Sequence, residues 1–576
     1  MSSDERSLAA WLSECSDAEL EAVLSFRQVS ATADWEDFYD AAEALLDPAS
    51  LDATLTQLPR HELVALTEPP VTGLAHTALC RADGTLFRGA TEAIARAQEQ
   101  HPDAFEPHIA PEPTALPSEA EAAEAERAIT AVNTLTDLLT AITEHPISRT
   151  GAGPITASDR RRLIDGGVVE SAEELDDLLL VAEASDLVRT WSRRIHTGPA
   201  ASRWLSQPTA QRWVTLVTGF RSWMPAGLRA EQGGYLPVHS WGHAYPLRAG
   251  WPALAEQLRA AATRLTLVSS TGEEPSWAAP IRRADAADAE ALQRHLPTPI
   301  DRLYLQADLT AIAPGPLLAP LDLRLRRMSR RESHSIASTY RFTAGSLAAA
   351  IEDGETADSI REFLSDISST GIPQPLAYLI DSIATRHGRV RVRSVGAHTE
   401  VSSDDATLLE AIAVDPSLRA LALTNRHDSN DHLDTLSTRV ARDAVYWALL
   451  DARYPAIATD AEGRALTMQR ASAVAENTND ETAAADGEHD RYHDVIARLR
   501  AARSNSDGAW REREIARAVR NRAEIVVTVR LPDDSERAFT LEATGLGGGR
   551  LRGLDRDADT ERTLPLSSIL SVTPAG

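Results

Sequence analysis

Two dense runs of arginine carry the chemistry that this sequence offers. Arg324, Arg326, Arg327, Arg330 and Arg331 crowd one stretch, and Arg389, Arg391 and Arg393 alternate with Val390 and Val392 in another. Alternation at that spacing places three guanidiniums on one face of a strand and two valines on the other. A guanidinium presents a planar fork of N–H donors that matches phosphate oxygens, so both runs are candidate DNA contacts. A third set, Arg520, Arg522, Arg550 and Arg552, is a candidate for a nucleotide or single-stranded nucleic acid.

Other constellations offer less. His239 and His243 have the spacing of two ligands on one helix turn, but Pro237, Gly242 and Pro246 oppose a helix there and no HExxH motif is present. His427, Asp428, Asp431, His432 and Asp434 read as a charged exposed loop. Gly545-x-Gly547 lies between two strand-like runs, whereas a phosphate cradle opens a helix, so a turn is expected. Cys15 and Cys80 are too few and too far apart for a zinc site or a disulfide framework. No metal, cofactor or catalytic residue is therefore assigned.

One absence excludes whole classes of enzyme. All 58 residues counted as Lys+Arg are arginine, because the chain contains no lysine. A P-loop needs a lysine at the β/γ-phosphates, protein kinases need a strand lysine, and Schiff-base enzymes need an amine. A non-enzyme is expected.

The formal net charge of −27 argues against the whole surface embracing a polyanion, since phosphate binding rests on positive charge. Charge is uneven: residues 1–130 carry 7 Arg against 25 Asp+Glu, and residues 302–393 carry 12 Arg against 10 Asp+Glu. Nucleic-acid contact should be local and central, and the acidic N-terminal part should engage protein. The start Met1-Ser2-Ser3-Asp4-Glu5 lacks the basic and apolar features of a signal peptide, and no apolar run approaches a membrane span, so a cytoplasmic protein without membrane contact is expected.

The length of 576 residues implies several domains, and the expected class is multidomain α+β, predominantly helical. Residues 1–101 read as short helices capped by Ser16, Asp34 and Ser50, and the Pro/Glu/Ala-rich stretch 102–126 reads as a linker. Residues 127–300 begin with three helices in a winged-helix-like rhythm, the third opened by the capping-box sequence Ser171-Ala172-Glu173-Glu174. Glu173, Glu174, Asp176 and Asp177 would make that helix repel DNA. The tryptophans that follow, among them Trp204, Trp213, Trp223, Trp241 and Trp251, fit core packing better than base stacking.

Residues 301–394 open with the alternating strand Leu303–Thr310 and continue through helices capped by Thr356 and begun at Pro375 to the Arg389–Arg393 strand, a second winged-helix-like unit with a basic wing. The ordered blocks LYLQADLTAIAPGPLLAPL, YRFTAGSL, GETADSIREFL and IPQPLAYLIDSIATRHGRVRV resemble the helicase-associated domain named after the N-terminal region of XPB-type repair helicases. The wider layout resembles actinobacterial proteins in which that domain stands without an attached motor. The resemblance implies contact with DNA, or with a separate helicase or repair protein, but no helicase activity.

Residues 395–470 read as a small α/β domain and 471–492 as a linker. In 493–576, an amphipathic helix over Trp510–Arg522 leads into strands at Glu524–Arg530, Arg537–Ala543, Arg550–Leu554 and Arg562–Val572. A helix feeding a small β-barrel is similar to the WYL domain of bacterial transcription regulators, although the Trp-Tyr-Leu triplet is missing. The leading expectation is a non-catalytic, helicase-associated DNA-binding protein. The alternative is a ligand-sensing transcriptional regulator acting through the C-terminal domain, and a hydrolase of unrecognised type comes third.

Overall fold

A computed structural model describes residues 2–151, 153–230, 232–333, 337–386, 389–426, 435–452, 454–460, 465–466, 491–501, 514–520, 522–531, 535–556 and 558–574. The chain is a mixed α+β protein rich in helix. It divides into two units: Met1–Ile109 with Gly242–Leu254 and Asn479–Gly576, and Ala110–Trp241 with Ala255–Thr478. No helix among the described residues is long and apolar enough to cross a membrane.

The first unit begins with short helices, including Ser2–Glu14, Asp17–Phe26, Phe38–Leu45, Pro48–Leu55 and Arg88–Gln100. Ser16 closes a full capping box with Glu19. The next caps are Asp37 and Asp47, and neither Asp34 nor Ser50 takes the role. Asp37 accepts from the Tyr39 and Asp40 amides, and Asp47 precedes Pro48, whose missing N–H suits the first helical position. Leu8, Leu12, Leu20, Leu24, Phe38 and Leu45 form the core, and Tyr492, Val495, Ile496 and Leu499 join it from the helix His493–Ala501. The Tyr492 hydroxyl donates to Val29 O, and the Arg500 guanidinium donates to Ser13 O. Residues 493–501 therefore belong to the N-terminal core and not to the C-terminal sheet domain expected from sequence.

The C-terminal sheet is open. Its five antiparallel strands run in the order Thr560–Pro565, Arg550–Asp555, Glu536–Gly547, Glu524–Arg530, Ile569–Pro574, so the expected barrel is not closed. The run expected as one strand, Arg562–Val572, breaks at a 3-10 turn over Leu566–Ser568, directly after Pro565. This break sends the last strand to the far edge, beside Glu524–Arg530. The long strand Glu536–Gly547 pairs Glu524–Arg530 along one half and Arg550–Asp555 along the other, with a bulge between Ala543 and Gly545. Gly548 and Gly549 both take positive φ, as a two-residue hairpin turn demands. Residues 514–520 are helical and place Ile515 and Ala518 in the sheet's core; Trp510, Arg511 and Arg513 lie outside the described residues.

In the second unit, the stretch expected as a linker is tied down. Thr114 and Leu116 exchange backbone hydrogen bonds with Glu274, and Glu121 already opens the 24-residue helix Glu121–Glu144. That helix, the strand Ile147–Ser148, the helices Ala157–Asp165 and Ala172–Ala184, and the hairpin Val188–Trp191/Arg194–Thr197 follow in turn. The three strands form one sheet with Arg194–Thr197 in the centre. Ser171 accepts from the Glu174 amide, while the Glu174 carboxylate accepts from Glu170 N rather than closing the box on Ser171. Asp177 and Glu174 pair with Arg264, and Asp176 pairs with Arg160.

Most of the tryptophans singled out from sequence are structural. Trp204, Trp213 and Trp241 are buried and donate their indole N–H to Arg212 O, Leu265 O and Leu236 O, whereas Trp223 is half exposed. In the first unit, Trp251 is buried against Tyr245.

Two further cores complete the second unit. Leu303, Leu325, Tyr340, Phe342, Ile360, Phe363, Leu364 and Ile380 belong to one, built from a four-stranded sheet and the helices Ala319–Met328, Ala344–Glu352, Ala357–Ile367 and Gln374–Arg386. Val390 and Val392 belong to the other. The basic strand Val390–Val395 is an inner strand of a six-stranded sheet, between His398–Ser403 and the parallel Ala456–Thr459. It is not a wing on the preceding helices, and the division expected at 394 falls instead between Arg386 and Val390.

Truncating Leu499, which is buried in the N-terminal core, tests the shared core of the first unit. Leu499→Ala should cost about 2–4 kcal/mol. It should accelerate amide exchange in the helix Asp17–Phe26, which packs on His493–Ala501. Unchanged exchange there would contradict the shared core.

Candidate nucleic-acid interface

The first arginine run divides between interior and surface. Arg326 and Arg331 are buried. The helix Glu121–Glu144 brings Asn133 and Asp137 to them, the helix Ala319–Met328 brings Asp322, and the strand Ser338–Arg341 brings Ser338 and Tyr340. Arg326 pairs with Asp137, donates from Nε to Asp322 at 2.8 Å, and reaches Asn133 Oδ1 at 3.3 Å. Arg331 donates to Ser338 Oγ at 2.8 Å, with Asp137 at 3.6 Å. The Tyr340 hydroxyl donates to Asp322 at 2.5 Å. Burial opposes the Arg326 charge, but Asp137 and Asp322 outweigh it and hold that guanidinium above its ordinary value. Burial, then the neighbouring Arg326, push Arg331 down. Burial, then Asp322, push the Tyr340 phenol up. These two arginines lock elements together inside the unit and present no guanidinium to a polyanion.

Arg324 is clamped as well. It donates to both carboxylate oxygens of Glu355 at 2.8 Å and lies over the Phe363 ring, 4.4 Å from its centroid. Arg327 and Arg330 are exposed and form no ion pair among the described residues, although Arg327 acts electrostatically on Asp353 and Glu355, and Arg330 on Glu144.

The second run does share one strand face, as alternation requires. The side chains of Arg389, Arg391 and Arg393 are 54%, 48% and 46% exposed. Each has a carboxylate beside it: Asp405 at 3.7 Å, Asp404 at 3.2 Å and Glu400 at 2.9 Å. Arg393 stands directly across the ladder from Glu400. The local charge is therefore balanced. The Arg389 and Arg391 pairs are exposed and worth about 0–1 kcal/mol each, so a phosphate can compete for these two guanidiniums, whereas Arg393 is held by the buried Glu400.

In the C-terminal sheet, Arg550 and Arg552 are exposed and alternate with buried Leu551 and Gly553. Arg520 and Arg522 are exposed just before the first strand of that sheet, Arg522 at φ 47°. His243 stacks on His108 with ring centroids 4.2 Å apart. Among the described residues, no three His, Cys, Asp or Glu side chains are arranged to hold a metal ion. His427, Asp428, Asp431, His432 and Asp434 lie outside the described residues.

A feature that sequence reasoning missed is the tip of the hairpin in residues 188–197, where Trp191, Arg193 and Arg194 are exposed. Its two-residue turn, Ser192-Arg193, has positive φ at both positions without the Asn-Gly or Asp-Gly that marks such turns in sequence.

A family model described as helicase conserved C-terminal domain matches residues 303–427, under a quarter of the chain. The matched stretch spans the Leu303–Ile383 core and the first strands of the six-stranded sheet, including the Arg389–Arg393 face. A helicase-related domain therefore occupies the part of the chain that the arginine runs share. No curated protein matches the chain.

Two measurements test the electrostatics. Asp137→Ala removes the carboxylate that Arg326 and Arg331 share, and should cost about 3–5 kcal/mol in denaturant unfolding of the second unit. Removal of an exposed pair costs under about 1 kcal/mol, so a loss that small would show the cluster to be unimportant. Glu355 is held below its ordinary value, first by its hydrogen bond from Arg324. A carboxyl depressed on folding stabilises the protein above its unfolded value, and the contribution disappears as pH falls through the folded value. The thermal-stability gap between wild type and Glu355→Gln should therefore be full at pH 7 and close below about pH 4. A gap that persisted in acid would contradict the ion pair.

Proposed function

We propose that this chain is a non-catalytic nucleic-acid-binding accessory protein that works beside a separate motor enzyme, in DNA repair or a related DNA transaction. The helicase-related match over residues 303–427 carries the proposal. The lysine-free sequence supports the accessory role, because these 576 residues contain no lysine to reach ATP phosphates. The order helix, strand, two helices and hairpin in the first segment of the second unit supports reading that segment as a winged-helix-like scaffold.

Contact is local, because the chain as a whole is strongly acidic. Of the two central arginine runs singled out from sequence, Arg327, Arg330, Arg389, Arg391 and Arg393 remain at the surface. Arg389 and Arg391 exchange a carboxylate for a phosphate on binding, Arg393 adds its exposed side to the same face while paired with Glu400, and Arg324, Arg326 and Arg331 keep the scaffold in register.

The test is DNA binding over a range of salt concentrations with single-stranded, duplex and forked substrates, together with an ATP-turnover assay. Affinity should fall linearly on a log–log plot, and the combined Arg389→Ala, Arg391→Ala, Arg393→Ala variant should flatten the duplex slope by up to about 2.7. Absence of binding, or binding indifferent to salt, would overturn the nucleic-acid role, and ATP turnover would overturn the accessory role.

A further inference from the structure

The hairpin Val188–Trp191/Arg194–Thr197 pairs Trp191 with Arg194, Thr190 with Ile195, Arg189 with His196 and Val188 with Thr197. Directly opposed residues share a face of the ladder, and successive residues alternate. Val188 and Ile195 are buried, so their face packs inward. The other face carries Arg189, Trp191, Arg194 and His196, with Arg193 at the turn.

The charge there differs from that of the Arg389–Arg393 face, where each guanidinium has a carboxylate beside it. Arg189 pairs with Asp186, but Arg193 and Arg194 form no ion pair with any described carboxylate. In a chain with 85 acidic residues against 58 arginines, uncompensated positive charge needs a place that carboxylates do not reach. A hairpin tip supplies one. The backbone holds the tip in position, since Arg149 N donates to Arg193 O at 2.7 Å.

Trp191 is 50% exposed, whereas the tryptophans that follow it at 204, 213 and 241 are buried and hydrogen-bonded. An indole beside unpaired guanidiniums matches a ligand that has both an aromatic face and phosphates. Nucleic acid has both, and its base faces are open in single strands and at duplex ends, while inside a continuous duplex they are stacked shut.

The geometry points to the outward face of this hairpin as a contact for unpaired nucleic acid, with the Trp191 indole stacked on an exposed base and Arg193 and Arg194 against the flanking phosphates. This assignment rests on the nucleic-acid role proposed above and adds its substrate class, a single strand or a fork. Within this segment the contact falls on the hairpin and not on the acidic helix Ala172–Ala184, whose Glu174, Asp176 and Asp177 are engaged by Arg264 and Arg160.

The test compares the full chain with Trp191→Ala, Trp191→Phe and the Arg193→Ala, Arg194→Ala double variant, by fluorescence anisotropy on labelled single-stranded, forked and blunt duplex DNA across salt concentrations. Trp191→Ala should weaken single-strand and fork binding about 5- to 100-fold and leave the blunt duplex little changed, while Trp191→Phe keeps most of the affinity. The double variant should flatten the single-strand salt slope by about 1.4. If wild type binds and the variants bind equally well, the hairpin assignment alone is overturned, and the exposed tip is then a surface for some other partner. If wild type binds no DNA, the assignment and the broader role fall together.

Discussion

The pairing of guanidinium with carboxylate governs this molecule. Acidic groups outnumber arginines 85 to 58, so an arginine placed almost anywhere finds a carboxylate within reach. Inside the second unit this produces the network of Arg326, Asp137, Asp322 and Arg331, which fastens the helix Glu121–Glu144 to the helix Ala319–Met328. Such buried pairs add little net stability over a well-packed apolar contact, but they penalise any arrangement that separates the partners. They act as a lock on geometry, and a polyanion must look for positive charge elsewhere on the surface.

Local signals in the sequence mark several elements, although Asp37 and Asp47 take the capping roles expected of Asp34 and Ser50. Ser16, Ser171 and Thr356 cap helices as their spacing implies, and the strand Glu524–Arg530 falls where its alternation puts it. Long-range pairing was hidden. The partner that buries Arg326, Asp137, lies 189 residues away, and neither residue carries a sign of the other. Alternation correctly placed Arg389, Arg391 and Arg393 on one face. It could not reveal that the strand belongs to the following sheet, because a strand's own pattern is silent on which neighbour it pairs with. Nor could it show the carboxylates of Glu400, Asp404 and Asp405 beside that face, since they come from the next strand and the helix cap beyond it. The hairpin at Trp191 escaped notice because Ser192-Arg193 lacks the usual turn chemistry.

The helicase-related match has an end that the fold makes awkward. It stops at residue 427, after the strands Val390–Val395, His398–Ser403 and Thr424–Arg426. Their sheet is completed by Thr435–Thr438, Ala456–Thr459 and Ala465–Leu466. A fragment cut at the matched boundaries would strip the partner from one edge of the basic strand, leaving its backbone amides and carbonyls open to association with other chains. The unit that folds around the matched stretch is longer than the match.

The core shared by the N-terminal helices and His493–Ala501 also sets the timing of biogenesis. At the usual ribosomal pace of about 5–20 residues per second, Leu499 emerges roughly half a minute to a minute and a half after Leu24, its companion in that core. Until then the nascent N-terminal helices expose the apolar surface that Tyr492, Val495, Ile496 and Leu499 later cover. The N-terminal helices are thus among the last elements to reach their finished form, and a chaperone that shields nascent apolar surface would serve residues 1–105 longest.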